Sequence, residues 1–483
     1  MQRRRMRAAA VASLLAMHAG AVPAADALQY RLSYPGPASP RVELRIDLPE
    51  PLAAPQVLVM PRAVPLGYGE QPYDEFVTGV RAFSPANEPL AVERLEGPRW
   101  QLGNAGQLLG AVRYDVDLKR METSIAEAAD SSRVRAGYVG ILGYSVFAYL
   151  DGQQDRSVGL SIAAPEDWAR FSTLAPEVPP PSSGPLAVRA ADFHALADSQ
   201  IALGPSLVLR SVPARAPLYL VSFAEVRVDT ELIGQLGQQA LHALIDYLGP
   251  APFEHYTLHV EFLRPLSRGH RYDRGMEHLD SASFSFTDDR GSMLGSQPEA
   301  VRYLLFAFAH RIAQAWIPAR CAGQGYRPFP WELAPVLDTV WFDEGFPQYV
   351  ALLALGSTSG QALETLVGDR FGDVLDAAPP VIRRMSTLEL SRVASTRCSS
   401  DVRTGRSSFA RGGMMAAEMD ALIRSRTGGG KSLRDGLRRV LDRCRDGGRG
   451  YRAEEIPALI RAGTGVDVQA VYDRWMAPQL AAN

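Results

Sequence analysis

His310 and Gln314 stand four residues apart in FAFAHRIAQAW, a spacing that puts both on one face of a helix. Two histidines so spaced, in His-Glu-x-x-His, ligate zinc from that face, while the intervening glutamate polarises the metal-bound water and carries its proton. Here the five positions read His310, Arg311, Ile312, Ala313 and Gln314. One ligand type survives, the general base is reversed in charge, and the second ligand is a neutral amide. Thirty residues beyond Gln314, Glu344 stands in WFDEGFPQYV, where some zinc peptidases carry a third, glutamate ligand on a following helix. Alone, His310 reads as a hydrogen-bonded histidine on a buried helix; Glu344 makes a degenerate metal site the more specific reading. His255, His259 and His270 have no ligand-like spacing, and His278, beside Glu277, carries little weight as a ligand.

These residues need helices to position them. Pro298 suits the first turn of a helix through PEAVRYLLFAFAHRIAQAW, and a second helix contains VLDTVWFDEGFPQYVALLAL. Upstream, TELIGQLGQQALHALIDYLG has the period of an amphipathic helix, and YTLHVEFL from Tyr256 reads as a strand. From Tyr30 to about Arg210 the pattern is different: short alternating runs such as RVELRIDL, AVRYDVDL and SVGLSIAAP are broken by turns, which predicts an antiparallel β domain. VPPPSSGP, from Val178 to Pro185, reads as a loop or linker. The C-terminal part is expected to be helical, around RGGMMAAEMDALIRSR, KSLRDGLRRVLDRC, AEEIPALIRAG and DVQAVYDRWM.

The chain opens with the basic MQRRRMR, followed by an apolar run from Ala8 to Val22 that ends in small residues, the layout of a secretory signal peptide. Cleavage is expected after Ala24 or, as a second choice, after Ala27, giving a periplasmic or secreted protein. That run is shorter than the ~20 residues a helix needs to span a bilayer, and no stable membrane span is expected. With 51 basic and 53 acidic residues, no global charge draws the chain to nucleic acid. The three cysteines, Cys321, Cys398 and Cys444, exclude a four-thiolate zinc site. An oxidising compartment permits one disulfide; Cys321 with Cys398 is the expected pair, and three buried free thiols are the alternative.

Several segments in order resemble the glycyl aminopeptidase family, zinc peptidases of the gluzincin type that often carry a PDZ domain. RGMEHLDSASF is similar to that family's Gly-Gly-Leu-Glu-His segment, AHRIAQAW to its His-Glu-x-x-His-x-Trp helix, and WFDEGFPQY to its Trp-x-x-Glu-Gly-x-x-x-Tyr helix. SFARGG resembles its Tyr-Tyr-x-Lys-Gly turn, and MDALIRSRTGGGKSL its Asp-x-x-Ile-Arg helix and following loop. In the β domain, PRAVPLGYGEQPYDEF, APEDW and ADFHALADSQIALG agree less sharply.

The resemblance implies an α+β multidomain fold: an N-terminal antiparallel β domain over 25–205, a thermolysin-like α/β half over 206–345, and a helical half over 346–483 that leaves no room for a PDZ domain. It places His310, Gln314 and Glu344 at the three zinc-ligand positions, Arg311 at the general base, and Phe409 where a tyrosine would help stabilise the oxyanion. Glu277 takes the position whose carboxylate grips a substrate's amino group. Losing one oxyanion donor costs only ~3 to 4 kcal/mol, but losing the base and a ligand removes the activated water itself. A guanidinium that never deprotonates is a poor neighbour for a dication, so no zinc, other cofactor or peptidase turnover is expected. The expected function is an inactive pseudo-peptidase whose cleft takes peptide or protein N-termini. The alternatives are a working aminopeptidase with non-standard zinc ligation and a purely structural interaction protein.

Two further expectations concern the site. Arg311 should replace zinc electrostatically by pairing with Glu344 or Glu277, the alternative being an arginine that reaches out to solvent. Phe409 should line the cleft with no hydroxyl replacing the lost tyrosine, Tyr326 and Tyr349 being the residues that could overturn this.

Overall fold

The computed structural model describes residues 26–176, 184–359, 361–447 and 450–479. The leader up to Ala24 and residues 178–183 of the proline-rich segment lie outside the described residues.

Alternation builds the first domain. In the strand Arg41–Ala53, Val42, Leu44, Ile46 and Leu48 point into the core while Arg41 and Glu43 do not, as the period of two demands. Ile46 lies opposite both Tyr30 and Val112, at the centre of a seven-stranded sheet. The pairing there is antiparallel apart from Leu28–Ser33 with Val158–Ala163, which is parallel. Two four-stranded sheets and a two-stranded one, Ala63–Val64 with Gly69–Glu70, complete the domain among the described residues.

The second domain begins with a five-stranded sheet in the order Val208–Val212, Leu218–Ala224, Tyr256–Leu263, Ser281–Thr287, Asp273–Glu277. Tyr256–Leu263 is buried along its whole length and runs parallel to both neighbours, as expected of a strand covered on both faces. Tyr256, Leu258, Val260 and Phe262 join the core beneath the helices Thr230–Leu248 and Pro298–Gln314. His259, Glu261 and Leu263 face the first domain. There Arg133 Nη1 donates to Glu261 Oε2 at 2.6 Å and to Ser285 Oγ at 2.8 Å, and Tyr138 also donates to Glu261.

The helical part is organised by one close crossing. A Cβ on Gly412 would stand 1.7 Å from the Trp341 carbonyl oxygen, and one on Gly345 would stand 2.6 Å from the Gly412 backbone. The helices Val340–Ser359 and Val402–Thr427 therefore meet backbone to backbone at this point. SFARGG, similar to a turn in the family it resembles, lies inside the Val402–Thr427 helix, in line with the helix expected from RGGMMAAEMDALIRSR, and Gly412 and Gly413 serve close approach. A Cβ on Gly413 would strike the Phe371 ring. Glu344 and Phe409 are thereby carried to the same cleft.

The expected Cys321–Cys398 bond is not formed. Cys321 is joined to Cys444, 123 residues away, with Cα atoms 5.5 Å apart, and Cys398 is a buried free thiol. The disulfide fastens the segment after the Pro298 helix to the helix Leu433–Gly447. Among the described residues no helix is long and apolar enough to cross a membrane.

Candidate functional site

The antiparallel register that sets Glu277 opposite Ala282 places it at the end of the edge strand, beside the Pro298 helix. From that helix His310, Arg311 and Gln314 project towards Glu277 on the strand and Glu344 on the next helix. Arg311 Nη1 donates to Glu277 Oε2 and, at 2.8 Å, to Gln314 Oε1. The Gln314 amide nitrogen donates to Glu277 Oε1 at 3.0 Å and to Glu344 Oε1 at 2.6 Å. His310 Nε2 approaches Glu344 Oε2 to 3.3 Å without a well-formed hydrogen bond, so both atoms are buried and unpartnered. The five residues form one cluster, and Arg311 turns inward: its side chain is 18% exposed and that of Glu277 is fully buried. The guanidinium touches one oxygen of Glu277 and does not grip either carboxylate bidentately, because Gln314 takes the other oxygen.

Burial sets the ionisation. It holds Glu277 above the usual carboxylate range, with Glu344 adding to the rise against the pull of Arg311. Glu344 is raised for the same first reason. His310 is pushed well below its ordinary value by burial and then by Arg311 and Arg370, so it is neutral. Asp343, next to Glu344, is pushed up to about 7 by burial although Thr339 and Tyr451 donate to it.

The cluster floors a cleft of about 530 Å³ that Tyr68, Phe409, Cys398, Arg370 and Arg406 also line. Phe409 is half-buried there, its ring 6.2 Å from that of Tyr68. The two tyrosines singled out from the sequence do not reach the cluster: the Tyr349 hydroxyl donates to Asp420 Oδ2 at 2.8 Å, and Tyr326 packs on Phe329. Tyr68 does. This tyrosine comes from the first domain, and its buried hydroxyl sits close enough to Glu344 to favour the carboxylate's charged form but too poorly aligned for a full hydrogen bond. The expectation that no hydroxyl occupies this side of the cleft is therefore corrected. Tyr68 lies in PRAVPLGYGEQPYDEF, and its positive φ of 52° is the local sign that the chain turns sharply there. The four other histidines weighed from the sequence are occupied elsewhere: His278 faces Asp198 at 3.3 Å, His259 meets the Tyr138 hydroxyl at 2.8 Å, His255 meets the Thr173 carbonyl at 3.1 Å, and His270 meets Ser267 at 2.9 Å.

The donor set does not fit zinc. A closed site needs three or four protein ligands, whereas Gln314 spends both ends of its amide within the cluster and a guanidinium lies among the carboxylates. Among the described residues no group of three or more His, Cys, Asp or Glu side chains is arranged to hold a metal ion.

Residues 29–205 match the Peptidase M61 N-terminal domain family. No curated protein matches the chain by sequence. Among solved structures, an aminopeptidase N family protein from Idiomarina loihiensis superposes with a TM-score of 0.81 at 17% identity, covering 94% of this chain and 77% of that one. The M1 zinc metallopeptidase of Deinococcus radiodurans is similar at a TM-score of 0.55 and 14% identity, with 95% of this chain and 94% of that one covered. A mutant of that enzyme bound to a Tyr-Ser-Ala substrate gives a TM-score of 0.56. The fold of this chain is that of the gluzincin-type aminopeptidases.

Proposed function

We propose that this chain is an exported pseudo-peptidase: an aminopeptidase fold that keeps a peptide-binding cleft and has lost hydrolysis, resembling a glycyl aminopeptidase. One observation carries the reading. The residue at the general-base position is a guanidinium that points into the cluster and bonds to Glu277 and Gln314. Such a group cannot accept a proton from water at any physiological pH, and its charge opposes a metal dication at the same place. Glu277 and Glu344 would otherwise be two adjacent buried acids without a counter-charge, a costly arrangement; Arg311 supplies what a metal supplies in active relatives. The cleft itself supports ligand binding, since its volume lies within the ~300 to 1,000 Å³ usual for small-ligand sites.

A working metallo-aminopeptidase with unusual ligation is supported by one measurement. Two ligands of a tetrahedral zinc, each at ~2.0 to 2.2 Å from the metal, stand about 3.4 Å apart, close to the 3.3 Å between His310 Nε2 and Glu344 Oε2. The experiment that separates the two is hydrolysis of aminoacyl chromogenic substrates with added zinc and with chelator. The pseudo-peptidase reading expects no turnover under either condition; chelator-sensitive cleavage sinks it.

A further inference from the structure

Five arginines line the cleft, and three of them are neutralised where they stand. Arg274 faces Glu127 at 3.3 Å, Arg290 faces Asp273 at 3.0 Å, and Arg311 is bound to Glu277. Arg370 and Arg406 are different: among the described residues neither has a carboxylate within ion-pair distance. Arg370 lies over the Phe306 ring at 4.4 Å, and its one polar contact, to Gln348 Oε1, is long at 3.4 Å. It is exposed to solvent inside the cleft, where partial desolvation and then repulsion from Arg406 and Arg311 among the charged neighbours lower its affinity for its proton. Three unpartnered buried polar atoms belong to residues that line the same cleft, the Tyr68 hydroxyl, His310 Nε2 and Glu344 Oε2.

The acids that share the cleft do not cancel this charge. Asp130 accepts from Gln71 at 2.9 Å, Glu344 accepts from Gln314, Asp273 faces Arg290, and Asp369, exposed, precedes Arg370 in the chain. Arg370 and Arg406 therefore carry guanidinium forks that match a carboxylate's two oxygens. An ammonium finds less: both oxygens of Glu277 are taken by Arg311 and Gln314, and the one unpartnered oxygen of Glu344, Oε2, lies 3.3 Å from His310 Nε2.

We propose that the cleft binds the carboxylate of a short peptide through Arg370 and Arg406, and not a peptide's amino terminus. This rests on the reading of the cleft as a peptide-binding site. The carboxylate can come from a C-terminus or from an acidic side chain.

The test is calorimetric titration of the full chain with four probes: tri-alanine, N-acetyl-tri-alanine, tri-alanine amide and N-acetyl-Ala-Glu-Ala amide. Tri-alanine and its acetylated form should bind alike, and amidation should weaken binding by roughly tenfold or more, the scale of a lost hydrogen bond to a charged group. Binding of the glutamate-containing amide assigns the carboxylate to side chains as well, and its failure to bind confines recognition to the C-terminus. Arg370→Gln with Arg406→Gln should reproduce the effect of amidation, while Arg370→Lys with Arg406→Lys, which keeps the charge but not the planar fork, should weaken binding less than the glutamine pair does. Loss of binding on acetylation but not on amidation overturns the proposal and leaves a peptide cleft standing. Absence of binding to every probe removes both.

Discussion

Replacing Arg311 by Met keeps the apolar stem and a good helix former but removes the charge, and the consequence should depend on pH in a defined sense. Glu277 is fully buried and Glu344 is 1% exposed, so without the guanidinium neither carboxylate has a cationic partner. The folded protein then escapes the cost of a buried bare charge by keeping a carboxyl protonated. Holding Glu277 neutral at pH 8 against its ordinary value of 4.5 costs at most about 5 kcal/mol at 1.36 kcal/mol per unit. Part of this is already borne by the wild type, whose carboxylates are raised, so a loss of about 3 kcal/mol at pH 8 is expected, at the low end of that for breaking a buried pair. At pH 5 the same protonation is nearly free, and only the lost hydrogen bonds to Gln314 Oε1 and to Glu277 Oε2 remain, about 1 to 2 kcal/mol together. The sign follows from linkage. A carboxyl whose folded-state affinity for protons is raised contributes stability below its unfolded value and loses it as pH rises towards neutrality. The assay is urea unfolding of wild type and Arg311→Met at pH 5 and pH 8, followed by tryptophan fluorescence. An equal loss at both pH values, or no loss at either, would refute the idea that Arg311 compensates the acidic pair.

The disulfide leaves one thiol, and burial pushes Cys398 up to about 12; the oxidised protein should titrate with a thiol reagent at one site per chain, and only after denaturation. Arg133 is buried and joins the first domain to Glu261 and Ser285 of the second, so Arg133→Met should destabilise the protein by about 3 to 5 kcal/mol, measured as a lowered urea midpoint.

Much of the fold was legible because periodicity reports burial directly: the alternation in RVELRIDL and in YTLHVEFL, and Pro298 at a helix start, each predict the element found. The helix spacing also made the His310, Arg311 and Gln314 cluster readable, because residues four apart share a face whatever surrounds them. Contacts made over long separations were not readable. Tyr68 belongs to another domain and meets Glu344 only through the packing of the two domains. Cys444 reaches Cys321 because the Leu433–Gly447 helix folds back on the core, while Cys398, nearer in sequence, sits against Gly405 on the cleft side. A helix through Gly412 and Gly413 was readable in RGGMMAAEMDALIRSR, but only the crossing with Trp341 and Gly345 shows that these glycines serve helix contact.

The central claim is that Arg311 occupies the place and the electrostatic role of a metal. Its most direct test is zinc content, measured on wild type and on the double variant Arg311→Glu with Gln314→His after equilibration with zinc and removal of the unbound ion. The account predicts no stoichiometric zinc in the wild type and about one ion per chain in the variant, where two histidines and Glu344 complete a three-ligand site. One zinc per wild-type chain, or none in a folded double variant, would contradict it.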